Sequence, residues 1–151
     1  MSAPKKPMRT WHYYIDAEGT VWHEDTELDE PELLHFFMEK LHREGDGSLH
    51  LICQGELCLF KCEDVPYVVQ SIEAHPAFIQ LIFPGNYREN LEATSLWVGK
   101  ENVLYCKVKK GEFTARFSRK AYLELAKQVE MNAQKQYCLK LGGRLYPIQG
   151  I

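Results

Sequence analysis

No stretch of this chain approaches the ~20 consecutive apolar residues that a membrane-spanning helix needs, so no membrane segment is expected. Short catalytic motifs are missing too. There is no phosphate-binding glycine loop, no dinucleotide fingerprint, no H-E-x-x-H pair and no nucleophile elbow around Ser71, Ser95 or Ser118. The sequence therefore assigns no catalytic residue, no metal site and no cofactor, and it leans away from an enzyme. Cysteines are few and odd in number: Cys53, Cys58, Cys62, Cys106 and Cys138. One would be left over in any internal disulfide scheme. Met1 to Pro7 carry positive charge with no apolar run behind them, so no secretory signal is expected. A cytoplasmic setting with reduced thiols follows as an expectation.

What is present is ordinary for a globular domain: 45% apolar and 26% charged residues over 151 positions. Such a chain can bury about two thirds of its unfolded surface. Residues 1–10 read as a flexible arm. Alternation from Trp11 to Ile15 predicts a strand, and Thr20 to His23 returns as its hairpin partner. Asp29, Pro31 and Glu32 form a capping-box pattern ahead of the stripe Leu33, Leu34, Phe37, Met38 and Leu41, which predicts a helix over 30–43 ended by Gly45-Asp46-Gly47. Strands are expected at 48–53, 57–62, 67–72, 78–83, 95–98, 103–108 and 113–117. Ser118 opens a second helix to about residue 133, with Tyr122, Leu125, Ala126, Val129 and Ala133 facing the core. A hairpin around Gly142-Gly143 closes the chain. The fold class is α+β. An element order used twice suggests a duplicated motif in two packed lobes, at 11–75 and 76–151.

Net charge divides the same way. Residues 1–75 hold 6 basic and 15 acidic side chains, a net −9, while residues 76–151 hold 12 and 6, a net +6. Oppositely charged lobes attract and steer one another. The basic half also holds Lys107, Lys109, Arg116, Arg119 and Lys120 on neighbouring strands and the first helical turn. Cations at a helix N-terminus oppose the dipole, and a bound anion relieves that cost.

The segment from Trp11 to Ile72 resembles two families, the bacterial "domain of unknown function 1285" and the related "uncharacterised protein family 0598". Three features carry the likeness: Tyr14-Ile15-Asp16-x-x-Gly19-x-x-Trp22, Leu34-x-x-Phe37, and Cys62-Glu63-Asp64-Val65-Pro66-Tyr67. The resemblance implies a duplicated α+β motif with a C-terminal portion similar to pleckstrin-homology folds. It brings no activity and no catalytic residues. The chain departs from the first family at Cys62, where valine is usual, and in a longer strand-rich middle.

Together these features predict a binding or regulatory module. Its cleft would lie between an edge formed by Trp22, Glu63, Asp64 and Tyr67 and a basic face formed by Lys107, Lys109, Arg116, Arg119 and Lys120. The expected partner is a small anionic ligand or a protein segment. An alternative is a metal-assisted hydrolase using Glu63 and Asp64 with histidine. His12 and His23, on facing strands, could meet as a pair. A third is single-stranded nucleic-acid binding, with Tyr105, Phe113 and Phe117 as stacking faces. The spacing of Cys53, Cys58 and Cys62 fits core packing better than a zinc site.

Overall fold

The computed structural model describes residues 9–150. Of the expected arm, residues 1–8 lie outside the described residues. Thr10 already belongs to the first strand, and the Arg9 carbonyl accepts from the Leu57 amide at 2.9 Å.

Alternating burial produces β1 (Thr10–Ile15), which turns through Asp16–Gly19 into β2 (Val21–His23) and β3 (Thr26–Leu28). Asp16 builds that turn. Its Oδ1 accepts from the amides of Glu18 and Thr20, and its Oδ2 accepts from the Trp22 indole at 3.0 Å. Helix α1 (Pro31–Lys40) follows. The expected capping box does not form. Pro31 takes the first helical position, so the cap falls on Glu30, which makes no side-chain cap bond, and Asp29 is pushed outside the helix. The helix also stops earlier than its apolar stripe implies. Leu41 turns extended, and the chain enters β4 (His42–Arg43), whose hairpin with β5 (Leu49–Cys53) uses the glycine-rich turn expected to end the helix.

A two-residue turn at Gln54-Gly55, both at positive φ, joins β5 to β6 (Glu56–Cys62). Strand β6 then pairs in parallel with β1, from Thr10–Leu57 to Ile15–Cys62. A six-stranded sheet results, in the order β3-β2-β1-β6-β5-β4.

The stretch expected as one strand over 67–72 is two. Strand β7 (Tyr67–Val69) pairs in parallel with β13 (Phe113–Phe117). After Gln70, β8 (Ser71–Ala74) pairs with β9 (Ile79–Phe83), which also pairs with β10 (Tyr87–Asn90). Strands β11 (Trp97–Val98) and β12 (Leu104–Val108) complete the four-stranded sheet β11-β12-β13-β7. The segment 11–75 thus places strands in two sheets that it shares with the basic segment.

Ser118 caps α2 (Arg119–Ala126), its Oγ accepting from the Ala121 amide at 3.2 Å. Here too the expected helix is too long. Val129–Met131 is β14, paired with β15 (Tyr137–Leu141), which in turn pairs with β16 (Arg144–Pro147). Asn132 turns the chain between the first two strands by accepting from the amides of Gln134 and Gln136. Only Ala121 and Leu125 of α2 are buried; Tyr122 is 42% exposed rather than core-facing, and Ala133 lies in the exposed turn. The two halves also differ in pairing. Strand β6 returns to β1, whereas β14-β15-β16 is a sheet apart from β13.

One core runs through both halves, from Ile15, Phe37 and Phe60 through Tyr67 and Leu81 to Phe113 and Leu125. Helix α1 is the joint. One face packs Phe37 against Tyr13 and Phe60, and the other meets the turn Pro84–Asn86 so closely that a Cβ on Gly85 would lie 2.2 Å from the His35 amide nitrogen. Among the described residues no helix is long and apolar enough to cross a membrane.

Candidate functional site

The C-terminal end of α1 explains two residues that the sequence directs to a ligand. The last carbonyls of a helix have no partner within it. The Phe37 carbonyl accepts from the Leu41 amide. The Met38 carbonyl accepts from the Tyr67 hydroxyl at 2.6 Å, and the Glu39 carbonyl accepts from the Lys109 ammonium at 3.2 Å. Tyr67 is 0% exposed, wedged edge-on between Phe83 and Phe113, and burial pushes its phenol up from the ordinary tyrosine range. Lys109 reaches its carbonyl across the rings of Tyr87 and Tyr67, at 4.5 and 5.6 Å, and desolvation holds its ammonium below the usual lysine range. Its backbone is left-handed at φ 55°, as is that of Lys110. This strained turn is anchored where the Lys109 amide donates to Glu89 at 2.9 Å. Arg43 closes the same seam, donating to the Glu112 carbonyl at 2.6 Å and lying over the Phe113 ring.

The acidic pair divides. Glu63 Oε2 accepts from the Ala17 amide at 2.6 Å, pinning the β1–β2 turn. Asp64 Oδ2 accepts from the Tyr105 hydroxyl at 2.6 Å and from Arg116 at 2.9 Å. The latter is a partly shielded ion pair, with Asp64 31% and Arg116 19% exposed. Burial, then the Asp64 carboxylate, pushes the Tyr105 phenol up to about 12. Neither carboxylate has a histidine among its hydrogen-bond partners, and among the described residues no cluster of three metal-ligating side chains forms.

His12 and His23 do not meet ring to ring. The strand register sets them on opposite faces, so His23 lies against Trp11 and Tyr13, and its Nδ1 meets only the backbone carbonyl of His12. Trp22 is held by Asp16 and borders a groove with His12, Tyr14 and Lys61 on the outer face of the large sheet.

A cleft of about 510 Å³ opens where the β1–β2 turn approaches β13 and α2. Arg116 and Arg119 line it, opposite Glu18 and Glu101, with Tyr122 at its side. Arg116 is fixed through one terminal nitrogen to Asp64, while its Nε is buried and has no hydrogen-bond partner. Of the nine expected residues, Asp64, Arg116 and Arg119 therefore belong to one neighbourhood. Lys120 is exposed one residue beyond. Lys107 lies on the outer face of the four-stranded sheet, where its ammonium donates to Thr114 and sits 5.5 Å above Trp97. Trp97 stacks on Tyr105 at 5.3 Å. Of the three aromatics expected as stacking faces, Phe113 and Phe117 instead face inward at 5% and 3% exposure. Strand alternation accounts for this, since they share the inner face with Ala115. Glu18, Glu101 and Trp97 are not singled out by the sequence, and no motif marks them.

No family model matches the chain, and no curated protein does. Two solved structures do. One is a DUF1285 family protein from Silicibacter pomeroyi DSS-3, 17% identical, with a TM-score of 0.68 over 96% of this chain and 84% of that one. The other is a DUF1285 family protein from Shewanella baltica OS155, 19% identical, with a TM-score of 0.60 over 76% of this chain and 90% of that one. At these identities the likeness is one of fold, and it agrees with the resemblance carried by the Trp11–Ile72 motifs.

Proposed function

We propose that this protein is a non-enzymatic binding or regulatory module whose ligand is a small anion seated in the cleft between the β1–β2 turn and α2. The observation that carries this reading is the buried, unpartnered Nε of Arg116. A buried donor without an acceptor costs about 1–3 kcal/mol, so the guanidinium gains from any shift toward an oxyanion in the cleft that gives Nε an acceptor. Asp64 and Tyr105 hold the group in place, so its free donors are oriented before the ligand arrives. Arg119 adds a second charge at the start of α2, where the helix dipole also favours an anion. Thermal-shift titration of the full chain with inorganic phosphate, nucleotides and dicarboxylates tests this. A ligand at a hundred times its dissociation constant stabilises by about 2.7 kcal/mol, and Arg116→Gln with Arg119→Gln should abolish the shift. If no anion stabilises the wild type, or the double variant responds equally, the reading fails.

The Trp97–Tyr105 stack with Lys107 above it favours one second reading, single-stranded nucleic acid laid on the outer face of the four-stranded sheet. That version requires retention on single-stranded DNA that weakens steeply with salt and is lost in Trp97→Ala. Salt-insensitive or absent retention removes it.

A further inference from the structure

At the opposite end of β1 from the anion cleft lies a second one, of about 520 Å³, between the start of α1 and the β5–β6 hairpin. Its walls are aromatic and aliphatic: Trp11, Tyr13, Leu33 and Phe36. Three carboxylates ring them, Glu30, Glu32 and Glu56, and among the described residues no lysine, arginine or histidine lines the cleft, Arg9 lying outside it over the Trp11 ring. The acidic residues come from separate elements, Glu30 at the cap and Glu32 in the first turn of α1, and Glu56 from the far side of the cleft in β6. The position of Glu56 is set by the Trp11 indole, which donates to it.

A cation already rests at the rim. The guanidinium of Arg9 lies 4.1 Å from the centre of the Trp11 ring, an attraction between charge and ring quadrupole. On the floor, burial, then Cys53 and Glu56, push the Cys58 thiol up to about 11.

From these observations we infer that this cleft receives a lysine or arginine side chain from a basic peptide segment of a partner, its alkyl stem against the aromatic wall and its charge among Glu30, Glu32 and Glu56. The chemistry is that of a positive head held by ring faces and surrounding carboxylates. The site is independent of Arg116 and Arg119, so its fate and that of the anion cleft can be read separately.

The experiment is fluorescence anisotropy of a labelled peptide of alternating lysine and glycine, titrated with the full chain at low and physiological salt. Binding is expected, with affinity falling at least tenfold in Glu30→Gln/Glu56→Gln and lost when the peptide lysines are acetylated. The amide oxygen introduced by Glu56→Gln still offers the Trp11 indole an acceptor, and circular dichroism checks that the double variant is folded. Glu32→Gln provides a second, milder variant with an expected several-fold loss. The Arg116→Gln/Arg119→Gln protein should bind the peptide as the wild type does. Absence of binding, equal affinity for the charge-neutral variants, or equal affinity for the acetylated peptide overturns the inference.

Discussion

Replacing Tyr67 by phenylalanine separates a structural role from a ligand-binding one. The ring stays, so its packing against Phe83 and Phe113 is kept, and one hydroxyl is lost. That hydroxyl sits 2.6 Å from the Met38 carbonyl, and both residues are 0% exposed, so water cannot take its place. An acceptor abandoned in this way costs about 1–3 kcal/mol. For a chain of this size each kcal/mol moves the melting midpoint by roughly 2–4 °C, so a loss near ~2 kcal/mol lowers it by about 4–8 °C. Urea unfolding followed by far-UV circular dichroism should show the midpoint falling with the slope unchanged. Anion and peptide binding should stay as in the wild type. Lys109→Met is expected to cost less, because removing the ammonium also removes the desolvation that depresses it. The two changes should be non-additive, since they serve neighbouring carbonyls of one helix end. A Tyr67→Phe protein within ~0.5 kcal/mol of the wild type would refute this account of how α1 ends.

Gly85 and Gly111 both have positive φ, 72° and 87°, yet their alanine variants should differ sharply. Gly111 has open space and should lose only about 1 kcal/mol, whereas a methyl on Gly85 meets the backbone of α1 and should prevent stable folding; equal melting shifts would contradict the packing described. Tyr105 is neutral in the fold up to about 12 and ionises near 10 when unfolded, so the folded state holds more protons between those values and stability must decline as pH climbs through them. Absorbance at the phenolate band, wild type minus Tyr105→Phe, should show that late ionisation, and Asp64→Asn should bring it to lower pH. Burial raises Cys58 to about 11 and Cys106 to about 12, and Cys138 is buried as well. A thiol reagent at pH 8 should therefore reach Cys53 quickly, Cys62, which burial and then Asp64 also push up, more slowly, and all five cysteines only after denaturation.

Much of the architecture is legible because local rules carry it. Period-two alternation marks β1, β6, β12 and β13, the Gly142-Gly143 pair marks the β15–β16 hairpin, and Ser118 marks the start of α2. Pairing between distant strands is not legible. Nothing near Tyr67 says that β7 joins β13, and nothing near Trp11 says that β1 lies parallel to β6. The end of α2 misleads because the spacing of Val129 and Ala133 suits a helix as well as a strand and turn, and Asn132 decides between them through its bonds to Gln134 and Gln136. Within the site, charge points to Arg116 and Arg119, and also to Lys109, whose ammonium is used to finish α1. Side-chain charge is visible in a sequence; a helix end that needs a donor from a distant strand is not.

The passage of one strand from sheet to sheet at Gln70 has a consequence for how this protein can be handled and how it can evolve. A gene cut near residue 75 would send β7 away with the acidic piece and leave β13 with a bare flank, so each fragment would expose a sticky edge and precipitate on its own. Neither half is portable as an independent building block. Fusions and insertions belong at exposed reverse turns such as Gly142-Gly143, where added sequence breaks no ladder.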